Sequence, residues 1–213
     1  MASTLSPYGF RAVNELGGLP YAGSTRSFPI NPAGYAVNIF NGSLVYVAAS
    51  GYLQIVTTTG ADSNTAGFPT GAGTSTNSGA IGVFVGCTYT NAQGQIIYSQ
   101  YYPANTASVN GSTITAYVVD DDRAVFQVQA DGSVAASALG TNVYLAAVQS
   151  TSTGSTTTGN STSNVSATSQ ATTAAFRIVG FVNNAQSQVG DQYTDLLVKF
   201  NPGYHSYTTA VGL

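Results

Sequence analysis

From residue 35 onward the chain carries short runs in which apolar side chains recur at every second position, separated by Gly, Asn, Asp or Pro. That period puts apolar groups on one face of a strand, whereas a helix needs spacings of three and four. The runs cover residues 35–40 (YAVNIF), 43–48 (SLVYVA), 52–57 (YLQIVT), 83–90 (VFVGCTYT), 95–102 (QIIYSQYY), 112–119 (STITAYVV), 124–130 (AVFQVQA), 175–182 (AFRIVGFV) and 193–200 (YTDLLVKF). Asn41-Gly42 between the first two is the strongest hairpin signal, because this dipeptide accepts the positive φ angles of a tight turn. Asp131-Gly132 and Asn183-Asn184 supply further turns. The pattern predicts an all-β fold, an antiparallel β-sandwich or β-barrel of about ten strands. One short helix is expected over 134–139, ended by Gly140. Strands do not alternate with helices of useful length, which argues against a parallel α/β sheet.

Three stretches break the pattern. Residues 1–34 hold four of the seven prolines (Pro7, Pro20, Pro29, Pro32), interleaved with glycines and with Tyr8, Phe10, Tyr21 and Phe28. Such spacing forbids a long helix and favours extended backbone. The segment reads as an extended N-terminal arm, docked on its own domain or on a neighbour, ahead of a β domain over 35–213. Residues 60–82 and 150–173 are small and polar and read as loops, the second as a flexible flap with little to bury.

Composition narrows the function. Only 13 of 213 side chains are formally charged, 6% of the chain, with a net charge of −3. A typical soluble domain carries about 25%. Arg11, Arg26, Arg123, Arg177 and Lys199 lie far apart, so the clustered cations that grip a phosphate backbone are missing and no nucleic-acid partner is expected. No apolar run approaches the length of a membrane-spanning helix, and no membrane partner is expected. Residues 1–10 lack the basic start and apolar stretch of a secretory signal. Polarity comes instead from 50 Ser and Thr and 26 Asn and Gln, and 14 Tyr accompany them without a Trp.

Candidate chemistry is sparse. The single cysteine, Cys87, lies mid-strand in an apolar run and reads as a small hydrophobe. The single histidine, His205, reads as a surface or interface ring; with Cys87 it could form a nucleophilic pair but not a metal site. Asp120-Asp121-Asp122 offers carboxylates for Ca²⁺ but lacks the alternating spacing of a calcium loop, and reads as a turn with Arg123 as local partner. GAGTST at 71–76 lacks the Gly-Lys-Ser/Thr of a phosphate loop. No catalytic constellation, metal site or cofactor is expected. Such a chain should work by burying apolar and hydrogen-bonding surface against a partner or its own copies.

The strings SPYGFRAV (6–13), GYAVNIFNGSLV (34–45), GVFVGCTY (82–89), AYVVDDDRAVFQVQADGS (116–133) and FRIVGFV (176–182) occur in this order. Together they resemble structural virion proteins of tailed bacteriophages, in particular capsid decoration or cement proteins. The resemblance implies a non-enzymatic clamp on the outer surface of the head, made in the bacterial host's cytoplasm. It implies the major capsid protein as partner and self-association as a homotrimer. The arm residues Tyr8, Phe10, Arg11, Tyr21, Arg26 and Phe28 are the expected capsid or inter-subunit contacts; the competing reading is that these aromatics cap the domain's own core. A tail or fibre component, or a carbohydrate-binding β-sandwich, is the alternative.

Overall fold

The computed structural model describes residues 4–58, 79–168 and 174–209. Among these residues eleven strands form two antiparallel sheets. They are β1 (Arg11–Glu15), β2 (Arg26–Ile30), β3 (Leu44–Val47), β4 (Leu53–Ile55), β5 (Gly82–Thr90), β6 (Ile96–Ser99), β7 (Ile114–Val119), β8 (Ala124–Gln129), β9 (Asn142–Val143), β10 (Phe176–Phe181) and β11 (Asp195–Phe200). The first sheet runs β1-β8-β11-β10-β9 and the second β2-β7-β5-β3-β4, with β6 added to the far half of β5. The all-β expectation holds, in the sandwich form. No helix among the described residues is long and apolar enough to cross a membrane.

Two cores hold the sheets. Phe126, Val128, Ile178, Leu196 and Val198 of the first sheet meet Leu44, Val83 and Val119 of the second. A second cluster lies on the other face of the second sheet, built from Ile30, Val45, Ile55, Phe84, Ile114, Ala116 and Val118. Irregular chain covers that face: Ile39 and Tyr102 are fully buried there, with Tyr35 and Val37 packed against them.

This cover explains where the strongest hairpin signal fails. Residues 35–40 are not a ladder strand. Their alternation turns Tyr35, Val37 and Ile39 onto the second core, but only Ile39 exchanges backbone hydrogen bonds, with Tyr102 at 3.0 and 2.8 Å. Asn41-Gly42 does make a turn, closed by the Ser43 amide donating to the Phe40 carbonyl at 3.0 Å. Its flanks never pair, because β3 takes β4 and β5 as neighbours instead. Gly42, at φ +89°, is where Gly9 crosses within contact distance, so both positions need glycine. The helix expected over 134–139 is reduced to a single 3-10 turn, Ala136–Ala138.

Part of residues 150–173 departs from the expectation of little to bury. Ser161, Ser163, Val165 and Ser166 are buried, while 151–152, 156–158 and 162 stay exposed, and Val165 bridges to both Ala130 and Leu145. Backbone and hydroxyl hydrogen bonds stand in for the missing apolar groups: the Ser161 amide donates to the Asn41 carbonyl at 2.8 Å, and its Oγ donates to Ser163 Oγ at 2.9 Å. Most of the loop expected at 60–82, including the GAGTST string, lies outside the described residues; its last residue, Gly82, begins β5.

Candidate functional site

The first 34 residues supply one strand to each sheet. β1 pairs with β8 and β2 with β7, and the chain between them passes from one sheet to the other. Ahead of β1, residues 4–8 are held by the Gln129 carboxamide, which accepts from the Ser6 amide at 2.8 Å and donates to the Thr4 carbonyl at 3.2 Å. The arm is therefore docked on its own domain.

The six arm residues expected as contacts separate in the structure. Phe10 is a core residue, 1% exposed, and makes no surface contact. Its ring stacks on Phe176 at 5.0 Å and meets Phe126 edge-on at 6.4 Å. Phe28 packs half-buried on the second core. Tyr8 lies under the Arg11 guanidinium, 4.6 Å from its ring centre, and burial pushes its hydroxyl's pKa up. Tyr21 donates its hydroxyl to the Ser24 carbonyl, which fixes the turn ahead of β2. Arg26 pairs with Asp120 at 3.0 Å and donates from its guanidinium to the Tyr207 hydroxyl at 2.9 Å. Tyr207 also donates to Asp120 at 2.6 Å, and burial with that carboxylate beside it pushes its pKa up to about 12.

That cluster corrects two readings of side chains. Arg123 is not the ion-pair partner of the aspartate turn; its guanidinium donates to the Leu16 carbonyl at 3.4 Å, while Asp121 caps the Arg123 amide. His205 is not a surface ring but 1% exposed, edge-on to Phe200 and Tyr207. The tail folds back on Ala80 through two backbone hydrogen bonds, which carries His205 inward. Cys87 is buried as expected, and burial pushes its thiol up to about 12, far from the thiolate a nucleophile needs. Among the described residues no three His, Cys, Asp or Glu side chains group as metal ligands.

Burial lowers the His205 pKa below its ordinary 6.5, against an opposing pull from Asp122 and Asp120. The fold therefore favours neutral imidazole. This contribution to stability is complete above the unfolded value and is lost as pH falls from there toward the folded value. Asp195, raised by burial, has the opposite sign: its ionised form is disfavoured in the fold, and that cost is relieved as pH falls toward 3.8. Melting temperatures between about pH 7.5 and about pH 5 should fall for the wild type. The fall should be smaller for His205→Gln; an unchanged slope would remove His205 as its source.

Two surface features remain. The first is an open sheet face. Pro29, Thr115, Thr88 and Tyr98 stand in register across β2, β7, β5 and β6. Ile96 and Tyr98 there are 65% and 78% exposed, and Tyr117 shares the face, bonded to Thr88 at 3.0 Å. No charged side chain stands among these residues. Leu16 and Leu19, in the β1–β2 connection, and Leu5 are also exposed. Sequence reasoning missed all five of these exposed apolar side chains. The available signal was that Ile96 and Tyr98 alternate with Ile97 and Ser99 in a run apolar on both faces.

The second is a groove of about 520 Å³ where β1 meets the second sheet. Phe10, Ala12, Val85 and Val119 floor it. Arg11, Tyr21, Asn41, Gln100 and Asn160 also line it. It gathers three of the six expected contacts, although Phe10 contributes only from beneath.

Comparison of the chain with protein-family models, curated proteins and solved structures finds no match.

Proposed function

We propose that this chain is a non-enzymatic structural protein of a tailed-phage virion, which decorates the outside of the head and cements neighbouring major capsid subunits against internal DNA pressure. The observation that carries this reading is the open, uncharged sheet face of β2, β7, β5 and β6, with Ile96 and Tyr98 standing out from it. A contiguous exposed face of this kind marks an interaction surface. Its lack of charge suits a surface packed side by side with many copies of itself. The order of the five sequence strings supports the family, and a homotrimer would multiply individually weak contacts.

Attachment should be insensitive to salt. The described residues hold one ion pair, Arg26 to Asp120, and it is internal. Head occupancy should stay constant from dilute buffer to about 1 M salt, where screening shortens to about 3 Å. Release of most copies by salt alone would sink the reading. Tyr98→Asp should lower occupancy at least tenfold while leaving the melting temperature near wild type, since Tyr98 is mostly solvent-exposed.

A further inference from the structure

The open face of the second sheet ends at β6. Among the described residues β6 pairs only with β5, in a hairpin whose turn is closed by the Asn91 amide donating to the Gln95 carbonyl at 2.9 Å. Residues opposite one another in an antiparallel pair alternate between hydrogen-bonded and non-hydrogen-bonded. Counting from Asn91 and Gln95, Ile97 and Ser99 bond across to Tyr89 and Cys87, while Ile96 and Tyr98 turn their N–H and C=O groups away from β5. The same two residues are 65% and 78% exposed, so no other segment packs over their side chains.

The other strand edges are closed or blunted. On β1 the Val13 carbonyl accepts from the Tyr21 amide at 3.3 Å, and the Glu15 amide donates to the Leu19 carbonyl at 2.7 Å. β2 carries Arg26 and Pro29, and a proline has no N–H to offer a neighbour. β4 has three residues and β9 two. β6 has neither proline nor charge, and no charged side chain occurs anywhere in residues 91–102. An exposed apolar edge without these devices is a pairing site.

A second copy of β6 fits this edge in one register. Antiparallel pairing about a twofold axis at Ile97 sets Ile96 of each copy opposite Tyr98 of the other. Each such pair exchanges two backbone hydrogen bonds, which satisfies every outward N–H and C=O of both strands. The side chains then meet as isoleucine against tyrosine, a favourable cross-strand combination, and no like charges face each other. A register shifted by two residues would set Tyr98 against Gly94 of the turn, or Ile96 against Gln100 beyond the strand.

We infer that β6 is a self-association edge, through which two copies of this chain join as antiparallel strands of one continuous sheet. The twofold axis stands perpendicular to that sheet, so the two uncharged faces lie on the same side and form one wider face. The contact is twofold and so differs from that of a homotrimer. The inference goes beyond the head-decoration reading and does not need it.

The test uses the full chain in solution, with sedimentation and amide hydrogen exchange read from about 1 µM to about 500 µM protein. The mass should rise with concentration from one copy toward two. Exchange at the Ile96 and Tyr98 amides should slow at least tenfold over that range, while the Ile97 and Ser99 amides, bonded to β5, stay equally protected throughout. Ile96→Pro removes one outward N–H per copy and no bond to β5, so it should weaken association at least tenfold. Protection at Ile97 and Ser99 in that variant reports an intact hairpin. Thr115→Lys, on the same open face but beyond β5 on β7, should leave association unchanged. A mass that stays at one copy or stops at three would overturn the inference. So would exchange at Ile96 and Tyr98 that ignores concentration, a result that needs no variant. Association that survives Ile96→Pro with the hairpin intact, or that Thr115→Lys abolishes, would overturn it too. No virion enters the experiment, so its failure leaves the head-decoration reading to the occupancy measurement.

Discussion

Phe10→Ala should destabilise the fold by about 3–5 kcal/mol, the range for deleting a buried aromatic ring. Phe10 enters from what the sequence presents as an arm, yet it completes an aromatic cluster. Its ring stacks on Phe176 at 5.0 Å, Phe176 lies 5.0 Å from Phe200, and Phe126 joins both Phe10 and Phe200 edge-on. Removing it leaves a cavity that its neighbours, held in β8, β10 and β11 of one sheet, can fill only partly. Typical domains have about 5–15 kcal/mol in total, so the variant should sit near the limit of folding. Urea denaturation measures the loss, and a cost under about 1 kcal/mol would show that the ring is not part of the core. By the same reasoning, deleting residues 1–30 should unfold the domain rather than free it, because β1, β2 and Phe10 go together.

Gln149→Leu should cost a comparable amount for a different reason. Gln149 is 3% exposed and lies outside any strand, but its carboxamide behaves as one residue of a ladder. Oε1 accepts from the Leu44 amide at 2.9 Å, and Nε2 donates to the Leu44 and Val56 carbonyls at 2.9 and 3.0 Å. Ser163 Oγ adds a donor to Oε1 at 3.2 Å. Leucine keeps most of the volume and none of the polarity. The Leu44 carbonyl retains the Val56 amide at 3.0 Å, but the Leu44 N–H and the Val56 carbonyl lose this partner in a buried setting. Each stranded group costs about 1–3 kcal/mol, so the expected loss is about 2–6 kcal/mol. Gln129→Leu is the informative comparison. Its two bonds tie only residues 4 and 6 to β8, so its loss should be smaller. Equal losses at the two positions would mean that volume and burial, not ladder completion, set the cost.

Much of the site was hidden from the sequence for reasons visible in individual residues. Tyr8, Phe10, Arg11 and Tyr21 stand close in the chain, and the sequence groups them in one extended segment. Which of them faced solvent was not legible, since Phe10 is buried by Phe126 and Phe176, more than a hundred residues away. The groove needs Asn41, Gln100 and Asn160 in one place, and nothing in three isolated polar residues of an Asn- and Gln-rich chain announces that. Asp120 likewise looked bound to its neighbour Arg123, whereas its partners are Arg26 and Tyr207.

By itself the sequence determined the strands and their two-faced character, because the direction of a side chain along extended backbone depends only on its parity in the run. β5, β7, β8, β10 and β11 begin and end within two residues of the runs read from the sequence. Alternation does not say which backbone accepts the hydrogen bonds. Residues 35–40 have the pattern of a strand and serve as a cover, while Ser161, Ser163 and Ser166 have almost nothing apolar to bury and are buried all the same. Pairing partners, the burial of Phe10 and His205, and the gathering of Asn41, Gln100 and Asn160 at one groove were decided by tertiary structure, where a residue's environment is set by chain segments far from it in sequence.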